Sequence, residues 1–521
     1  MKQVIMLCFV LISLFIIPIL VQAQSVEDII MQQESKGVHW SISVLDEQGQ
    51  PLESWNKQKW MVPASNMKLI TSAAVLEELG GEFRYKTPIY VRGYLDDSTW
   101  VGDLMIVGKG DPSISGFLFE KNRYHVFEQL RKLLKNAGIS NWTGQWIGRL
   151  GYFDAEIYPK GWDWDDLNFY YGVEISELSF NNNAVDLEVL AEGAVGATPQ
   201  ISWFPKQSDY IHFINEQRIA PAHTKYDEYY RRSWQTNKLY LASSLPQGYK
   251  ETESLAIYNA PAFFMDSFVD YLEANRMEDV VPYRAPYRIE RWWPDVLEPS
   301  TNKSLIGLAS EQLGTALWSG YPPNWYSTDT VSDPMTGWEY LGAVESPELH
   351  KLITWLNKES DNFYAEMLLK TLSAETQPSP GSTSDGIKKV REILGSMGLD
   401  TTYVVMRDGS GLAGGNYLTT SLLTDLLFSM HHSSNAHDFR ASLPVMGVDG
   451  TLHYRMKSSP LRGMVQAKTG YVGGARSLSG YLTTALGNTL IFSMSANNFA
   501  SKVSTIDAVH EKILTYLYYK Y

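Results

Sequence analysis

Cysteine is all but missing: the 521-residue sequence holds one, Cys8, inside an N-terminal apolar run. With no thiol beyond that run, disulfide staples, thiolate catalysis and cysteine-based zinc sites are excluded, and stability has to come from packing. Runs of lysine and arginine are missing too, and 44 basic against 58 acidic residues leave a formal net charge of −14. A phosphate backbone or an anionic membrane surface would be repelled, so nucleic acid is not an expected partner. No internal repeat or low-complexity tract is present.

What remains is a globular composition, 44% hydrophobic and 20% charged, which excludes a disordered chain. At roughly 150 residues per domain the length predicts two to four domains. Met1-Lys2-Gln3, the apolar stretch 4–21 and Gln22-Ala23 read as the n-region, h-region and cleavage site of an export signal, residues 1–23. The stretch is also just long enough to span a bilayer as an uncleaved anchor, but Pro18 interrupts it. Cys8 lies within it and not at its end, poorly placed for lipid attachment, and leaves with the signal. No stable membrane span is expected after that removal.

Val38, Trp40, Ile42 and Val44 alternate with smaller or polar residues and predict a strand, with Gln48-Gly49-Gln50 turning it into a hairpin. Residues 65–79 predict a helix that begins at Ser65 and stops at Gly80-Gly81. Near the other end, 479–486 and 489–496 predict strands joined by a two-residue turn at Gly487-Asn488. A helix follows, with Ile506, Val509, Ile513, Leu514 and Leu517 on one face and tyrosines at its end, packed on the sheet. Between these ends, 86–254 is rich in Trp, Tyr and short β-like runs and predicts an inserted domain, while 378–384 is a loop between helices.

A nucleophilic hydroxyl needs a base, and Ser65-Asn66-Met67-Lys68 sets a serine and a lysine three apart on one helix face. For Lys68 to act as base its pKa must fall from ~10.4 to roughly 7–8, which burial beside another cation could impose. Ser360-Asp361-Asn362 offers a hydroxyl and an amide on one turn before a helix over 363–372. Lys468-Thr469-Gly470 precedes β-type sequence, where the lysine supplies a fixed charge and the glycine lets a ligand approach. Each motif alone is ordinary, a capping turn or an edge strand.

In this order the three form the triplet of penicillin-binding proteins and serine β-lactamases. The chain resembles the class C low-molecular-mass penicillin-binding proteins, the D-Ala-D-Ala carboxypeptidase/endopeptidase family. The likeness extends through Gly102-Asp103-Leu104 to Gly110-Asp111-Pro112, Gly161 to Asp166, Asn181-Asn182-Asn183, Phe363 to Met367, Arg407 to Leu412 and Gly447 to Leu452. It implies an α/β fold: a transpeptidase/β-lactamase-like domain over 24–85 and 255–521, an antiparallel sheet flanked by helices, split by the mostly β insert 86–254. Residues 277–340 exceed the family pattern and are expected as an extra excursion within the catalytic domain.

The resemblance further implies a periplasmic enzyme without cofactor or metal, acting on peptidoglycan stem peptides and acylated by β-lactam antibiotics. Ser65 would be the nucleophile, Lys68 its base, Ser360 a proton relay, Asn362 the residue orienting Lys68 and substrate, and Lys468 with Thr469 the holders of a terminal carboxylate. Lys468 would also bias Lys68 toward its neutral form by repulsion. The oxyanion is expected between the N–H groups of Ser65 and Tyr471, with Gly470 allowing the close approach. Asp165 and Asp166 resemble an acidic position that meets the free amine of a diamino acid.

Two departures stand out: Tyr471 replaces a second threonine after Lys468-Thr469-Gly470, and Ala413-Gly414-Gly415 replaces a Ser-Arg pair after Leu412. A serine β-lactamase is the nearest alternative, opposed by the length of the chain and the lack of a Glu-x-x-x-Asn motif downstream of Asn362. A catalytically silent peptidoglycan-binding protein is another, though the triplet is intact. Gly409, Gly411 and Gly414 match a dinucleotide-binding spacing by chance, with Asp408 in place of a preceding strand. His431, His432 and His437 cluster without a metal motif and are expected as solvated or capping residues.

Overall fold

The computed structural model describes residues 25–34, 37–205, 210–275, 286–291, 335 and 337–521; the expected export signal lies outside these residues, as does most of 277–340. The chain opens with helix α1 (Val26–Glu34) and the hairpin β1 (His39–Asp46) and β2 (Pro51–Trp55), then α2 (Met67–Leu79). The insert carries β3 (Lys86–Asp96), β4 (Thr99–Val107), α3 (His125–Asn136), β5 (Trp146–Leu150), β6 (Ala184–Leu190), β7 (Gln200–Phe204), β8 (Lys250–Ala256), α4 (Ala260–Ala274), β9 (Tyr287–Arg291) and β10 (Glu339–Glu345). Helices α5 (Leu349–Glu359), α6 (Asn362–Thr376), α7 (Thr383–Ser396) and α8 (Thr420–His431) follow, and β11 (Val465–Val472), β12 (Ala475–Thr483), β13 (Thr489–Asn497) and α9 (Val503–Lys520) close the chain.

The alternation in β1 is real, but both of its faces are buried. Trp40, Ile42 and Val44 lie in one core with Val26, Ile29, Ile513, Leu514 and Leu517 of α1 and α9. Ser41 and Ser43 face the other way and bond the hydroxyls of Thr420 and Thr424 on α8, at 2.7 and 2.9 Å. Small polar residues therefore mark the side on which a helix packs closely. The antiparallel sheet runs β11-β12-β13-β1-β2, with a second helical core of α2, α5, α6, α7 and α8 on that side.

The hairpin between β12 and β13 is longer than expected. The strands end at Thr483 and restart at Thr489, and the loop closes on Thr484 N donating to Asn488 O and Gly487 N donating to Thr484 O. Gly487 has φ +85°, which a glycine meets without strain. At the far end of α9, Tyr516, Tyr521 and Lys520 converge on Glu53 of β2, so the terminal tyrosines fasten the helix to the sheet.

The insert is organised differently from the expectation. Its main sheet runs β9-β5-β4-β3-β10, so β9, inside the segment 277–340 expected as a catalytic-domain excursion, and β10, which begins at the end of that segment, both belong to the insert's sheet. Helix α4, expected after a return near Leu255, also packs there: Phe263, Phe264 and Phe268 share a core with Ile106, Trp146 and Ile289. Ala256 touches the catalytic core, and the next described residue of that core is Leu349. The reason is strand pairing: β10 lies antiparallel to β3 with Glu345 opposite Lys86, so exit and return run side by side, which no local pattern reveals. A smaller sheet, β8-β6-β7, completes the described part of the insert together with short strands between 212 and 246.

Candidate active site

Ser65 lies in a 3-10 turn, Ala64–Asn66, ahead of α2, so the helix begins two residues later than predicted. Ala64 holds φ +47°, a left-handed conformation that costs an alanine about 1 kcal/mol or more. Two neighbours enforce it. A β-carbon on Gly411 would stand 1.9 Å from Ala64 O, and one on Gly470 would meet Ser477 Oγ at 2.3 Å, Pro63 O at 2.6 Å and Ser65 N at 3.0 Å. Gly470 is thus required by the turn that carries Ser65, where the sequence had suggested a ligand. Gly411 is explained by this crowding, and Gly409 by the close approach of α6, where a β-carbon would stand 2.9 Å from Ala365 O.

Lys68 is completely buried. Its Nζ lies 3.0 Å from Ser65 Oγ, 2.6 Å from Asn362 Oδ1 and 2.7 Å from the main-chain oxygen of Ser410. Two of the three partners can only accept. A neutral amine would spend both N–H groups on them and turn its lone pair toward the Ser65 hydroxyl. Burial lowers the Lys68 pKa to about 8, against the pull of Asp408, Glu366 and Asp361. From an ordinary 10.5, that shift corresponds to about 3 kcal/mol between its protonation states.

Lys468, on β11, is equally buried, with Nζ 2.7 Å from Ser360 Oγ and 3.0 Å from Thr469 O. Its pKa is driven well below the usual value by burial, then by Lys68 and Arg476. Desolvation is the first cause of the depression at both lysines, and at Lys468 repulsion from Lys68 adds to it. Thr469 Oγ1 bonds Thr451 Oγ1 at 2.8 Å, and the Tyr471 side chain is exposed.

Several residues that complete the site were not anticipated. Asn66 donates to Lys468 O at 2.9 Å and accepts from Ser479 at 2.6 Å, tying the Ser65 turn to the sheet. Glu366 on α6 accepts the N–H groups of Gly409 and Ser410 at 3.0 and 2.7 Å, which aims Ser410 O at Lys68. Burial and the neighbouring Asp408 raise the Glu366 pKa to about 8. Asp408 gathers Gly411 N, Ala413 N, Asn416 Nδ2 and Trp162 Nε1 within 2.7–2.8 Å, the last of these from the insert. The Asp-Gly-Ser-Gly run was the available signal, since such a carboxylate folds a loop onto itself.

The structure thus brings Ser65, Lys68, Ser360, Asn362, Lys468, Thr469 and Gly470 together. Asp165 and Asp166 sit in the insert loop that ends at Tyr171, whose main-chain oxygen accepts from Asn362 Nδ2 at 2.9 Å. Asp166 is half-buried and its pKa is raised by desolvation, then by Asp165 and Asp163. His431, His432 and His437 contact Glu47, the Phe428 carbonyl and Asp438 respectively. A groove of about 750 Å³ lined by Arg84, Phe119, Trp355, Lys358 and Asp449 holds none of the triplet residues, and Lys358 is paired with Asp449 at 2.7 Å. Among the described residues, no helix is long and apolar enough to cross a membrane.

The chain is similar to known proteins along most of its length. A D-alanyl-D-alanine carboxypeptidase of Actinomadura is 28% identical over 90% of this chain and 79% of its own length. The crystal structure of penicillin binding protein 4 from Haemophilus influenzae superposes with a TM-score of 0.74 at 21% identity, covering 95% of this chain and 99% of that one. A second structure of that protein, complexed with a β-lactam, gives a TM-score of 0.69 at 20% identity, covering 95% and 99%. The model of the D-Ala-D-Ala carboxypeptidase 3 (S13) family matches residues 22–284 and 328–514, and the chain belongs to that family of serine-type peptidases.

Proposed function

We propose that this D-Ala-D-Ala carboxypeptidase works by acyl transfer on peptidoglycan stem peptides, with Ser65 as nucleophile and Lys68 as its base, and that β-lactams arrest it as the acyl-enzyme. The observation that carries the reading is the position of Lys68 Nζ, held by two acceptors and 3.0 Å from Ser65 Oγ. Ser65 Oγ attacks the carbonyl of the D-Ala peptide bond while its proton passes to Lys68. Ser360, bonded to Lys468, gives its proton to the departing amine and recovers one from Lys68, which is neutral again. Water then cleaves the ester.

Lys468 is buried beside cations, so a substrate carboxylate supplies the charge its pocket lacks. Thr469 adds a hydroxyl; Tyr471 offers its backbone N–H, which with that of Ser65 would hold the oxyanion, each donor worth about 3–4 kcal/mol. Asp165 and Asp166, clustered with Asp163, form a negative patch suited to the free amine of a diamino acid. Action on cross-linked peptides as an endopeptidase, export through the N-terminal signal and a periplasmic location belong to the same proposal. The complex of the Haemophilus protein with a β-lactam supports acylation by that class of inhibitor.

The test is to incubate the mature chain and a Ser65→Ala variant with a fluorescent penicillin and with defined cross-linked and uncross-linked muropeptides. The parent should be covalently labelled and release D-Ala, and the variant should do neither. Cleavage by the variant at the parental rate overturns the assignment. Rapid turnover of a chromogenic cephalosporin by the parent would instead make it a β-lactamase.

A further inference from the structure

Asn181, Asn182 and Asn183 have φ of +50°, +51° and +54°, three successive non-glycine residues in the left-handed region. Such a run is strained and persists only where surrounding contacts impose it. The outer two are accounted for inside the insert. Asn181 donates to Ala184 O and accepts from Arg123, and Asn183 donates to Glu174 O and Ser179 Oγ. Asn182 makes no such local bond. Its Nδ2 reaches out of the insert to Asp361 Oδ2 at 2.8 Å, while its Oδ1, like that of Asn183, is buried with no hydrogen-bond partner. A strained residue whose amide bonds only outside the insert is not explained by the insert's own stability.

Asp361 is the middle residue of the turn that carries Ser360 and Asn362. Ser360, with φ +60°, bonds Lys468, and Asn362 bonds Lys68. Besides Asn182, the Asp361 carboxylate takes Trp355 Nε1 and Tyr364 N. The insert also sets the third side chain. Tyr171 O can only accept, so it requires Asn362 to present Nδ2 to it and Oδ1 to Lys68. Had the amide turned over, Lys68 would face a donor and its lone pair would be drawn away from Ser65.

We infer that Asn182 is a positioning residue for the acyl-transfer site: through Asp361 it fixes the turn of Ser360 and Asn362, so that the insert, by Asn182 and the Tyr171 carbonyl, completes the surroundings of Lys68. This rests on the function proposed above. Asp361 faces Lys68, Glu359, Tyr170 and Tyr364, and Lys68 faces Asp408, Glu366, Asp361 and Lys468. These are the groups whose charge a change at Asn182 would perturb.

The test compares Asn182→Gly, which keeps the positive φ and deletes the amide, with Asn182→Asp in the full mature chain. Readouts are the rate constant for acylation by a fluorescent penicillin between pH 6 and 9.5, and the folded fraction by circular dichroism. Asn182→Gly should fold and be acylated at least about tenfold more slowly at every pH, as expected for a misplaced catalytic turn. Asn182→Asp should hold Asp361 only while the two carboxyls share a proton, so its rate relative to the parent should fall as pH rises. Acylation of both folded variants at the parental rate across the range overturns the inference and leaves the function standing. A parent that takes up no penicillin overturns the function, and this inference with it.

Discussion

The carboxamide of Asn66 donates to the main-chain oxygen of Lys468 at 2.9 Å, so the residue after Ser65 grips the strand that carries the second lysine. Both of its polar ends are used, since Ser479 donates to its oxygen. Asn66→Ala would leave a buried carbonyl and a buried hydroxyl short of a partner, at about 1–3 kcal/mol. Thermal unfolding should occur at a lower temperature, and acylation by penicillin should slow because the Ser65 turn is no longer fixed to β11. Parental stability would mean that water replaces the amide.

In the proposed mechanism attack by Ser65 requires deprotonated Lys68, and a pKa of about 8 sets how much is present. Acylation should rise with pH, from roughly one-tenth of its plateau at pH 7 to half at pH 8. A profile already flat at pH 6 would show that Lys68 is not the titrating base.

Lys68→Ala removes that base and should slow acylation by about a thousandfold or more, since catalytic groups that act as a unit fail together. In the folded state the two acceptors it leaves, Asn362 Oδ1 and Ser410 O, are offset by removal of a buried charge. With its folded pKa below the unfolded one, Lys68 costs stability below pH 8, a cost relieved as pH rises toward 10.5, so denaturant midpoints measured at pH 7 should hold or rise in the variant.

Glu366 has the opposite sign. Its pKa is raised from 4.5 to about 8, so between those values the folded state holds more protons than the unfolded one and stability falls as pH rises. Urea titrations at pH 5 and pH 8 should display that loss in the parent, and Glu366→Gln should lessen it.

Gly470→Ala places a methyl group against Ser477 Oγ, Pro63 O and Ser65 N. Two of these atoms are backbone and cannot swing aside. The variant should lose a few kcal/mol of stability and most of its penicillin labelling, measured by melting temperature and gel fluorescence. Tyr471, with its side chain exposed, should by contrast accept threonine with little change in melting temperature.

The sequence made the chemistry legible because the three motifs are short and each keeps its own turn: Ser65 and Lys68 are one helical turn apart, Ser360 and Asn362 flank one residue, and Lys468 to Gly470 are consecutive. Their convergence followed from the resemblance, not from pattern. What escaped were residues whose partners are distant in the chain, such as Glu366 under Ser410, Asp408 under Trp162 and Asn182 under Asp361. The misplaced boundary near Leu255 has the same origin. Helix α4 has the apolar character of a catalytic-domain helix, and only its packing on β5, β9 and α3 decides which core it joins.

The pairing of β1 with β13 joins His39–Asp46 to Thr489–Asn497, segments more than four hundred residues apart. A chain growing from its N-terminus releases the first of these long before the second exists. The insert's hairpins, closed over a few residues, can assemble meanwhile, while the hydrophobic edge of the early strand waits uncovered. Late completion of this kind is slow and exposes apolar surface to wrong partners. Truncation anywhere before Thr489 should therefore yield aggregates in place of a smaller active enzyme.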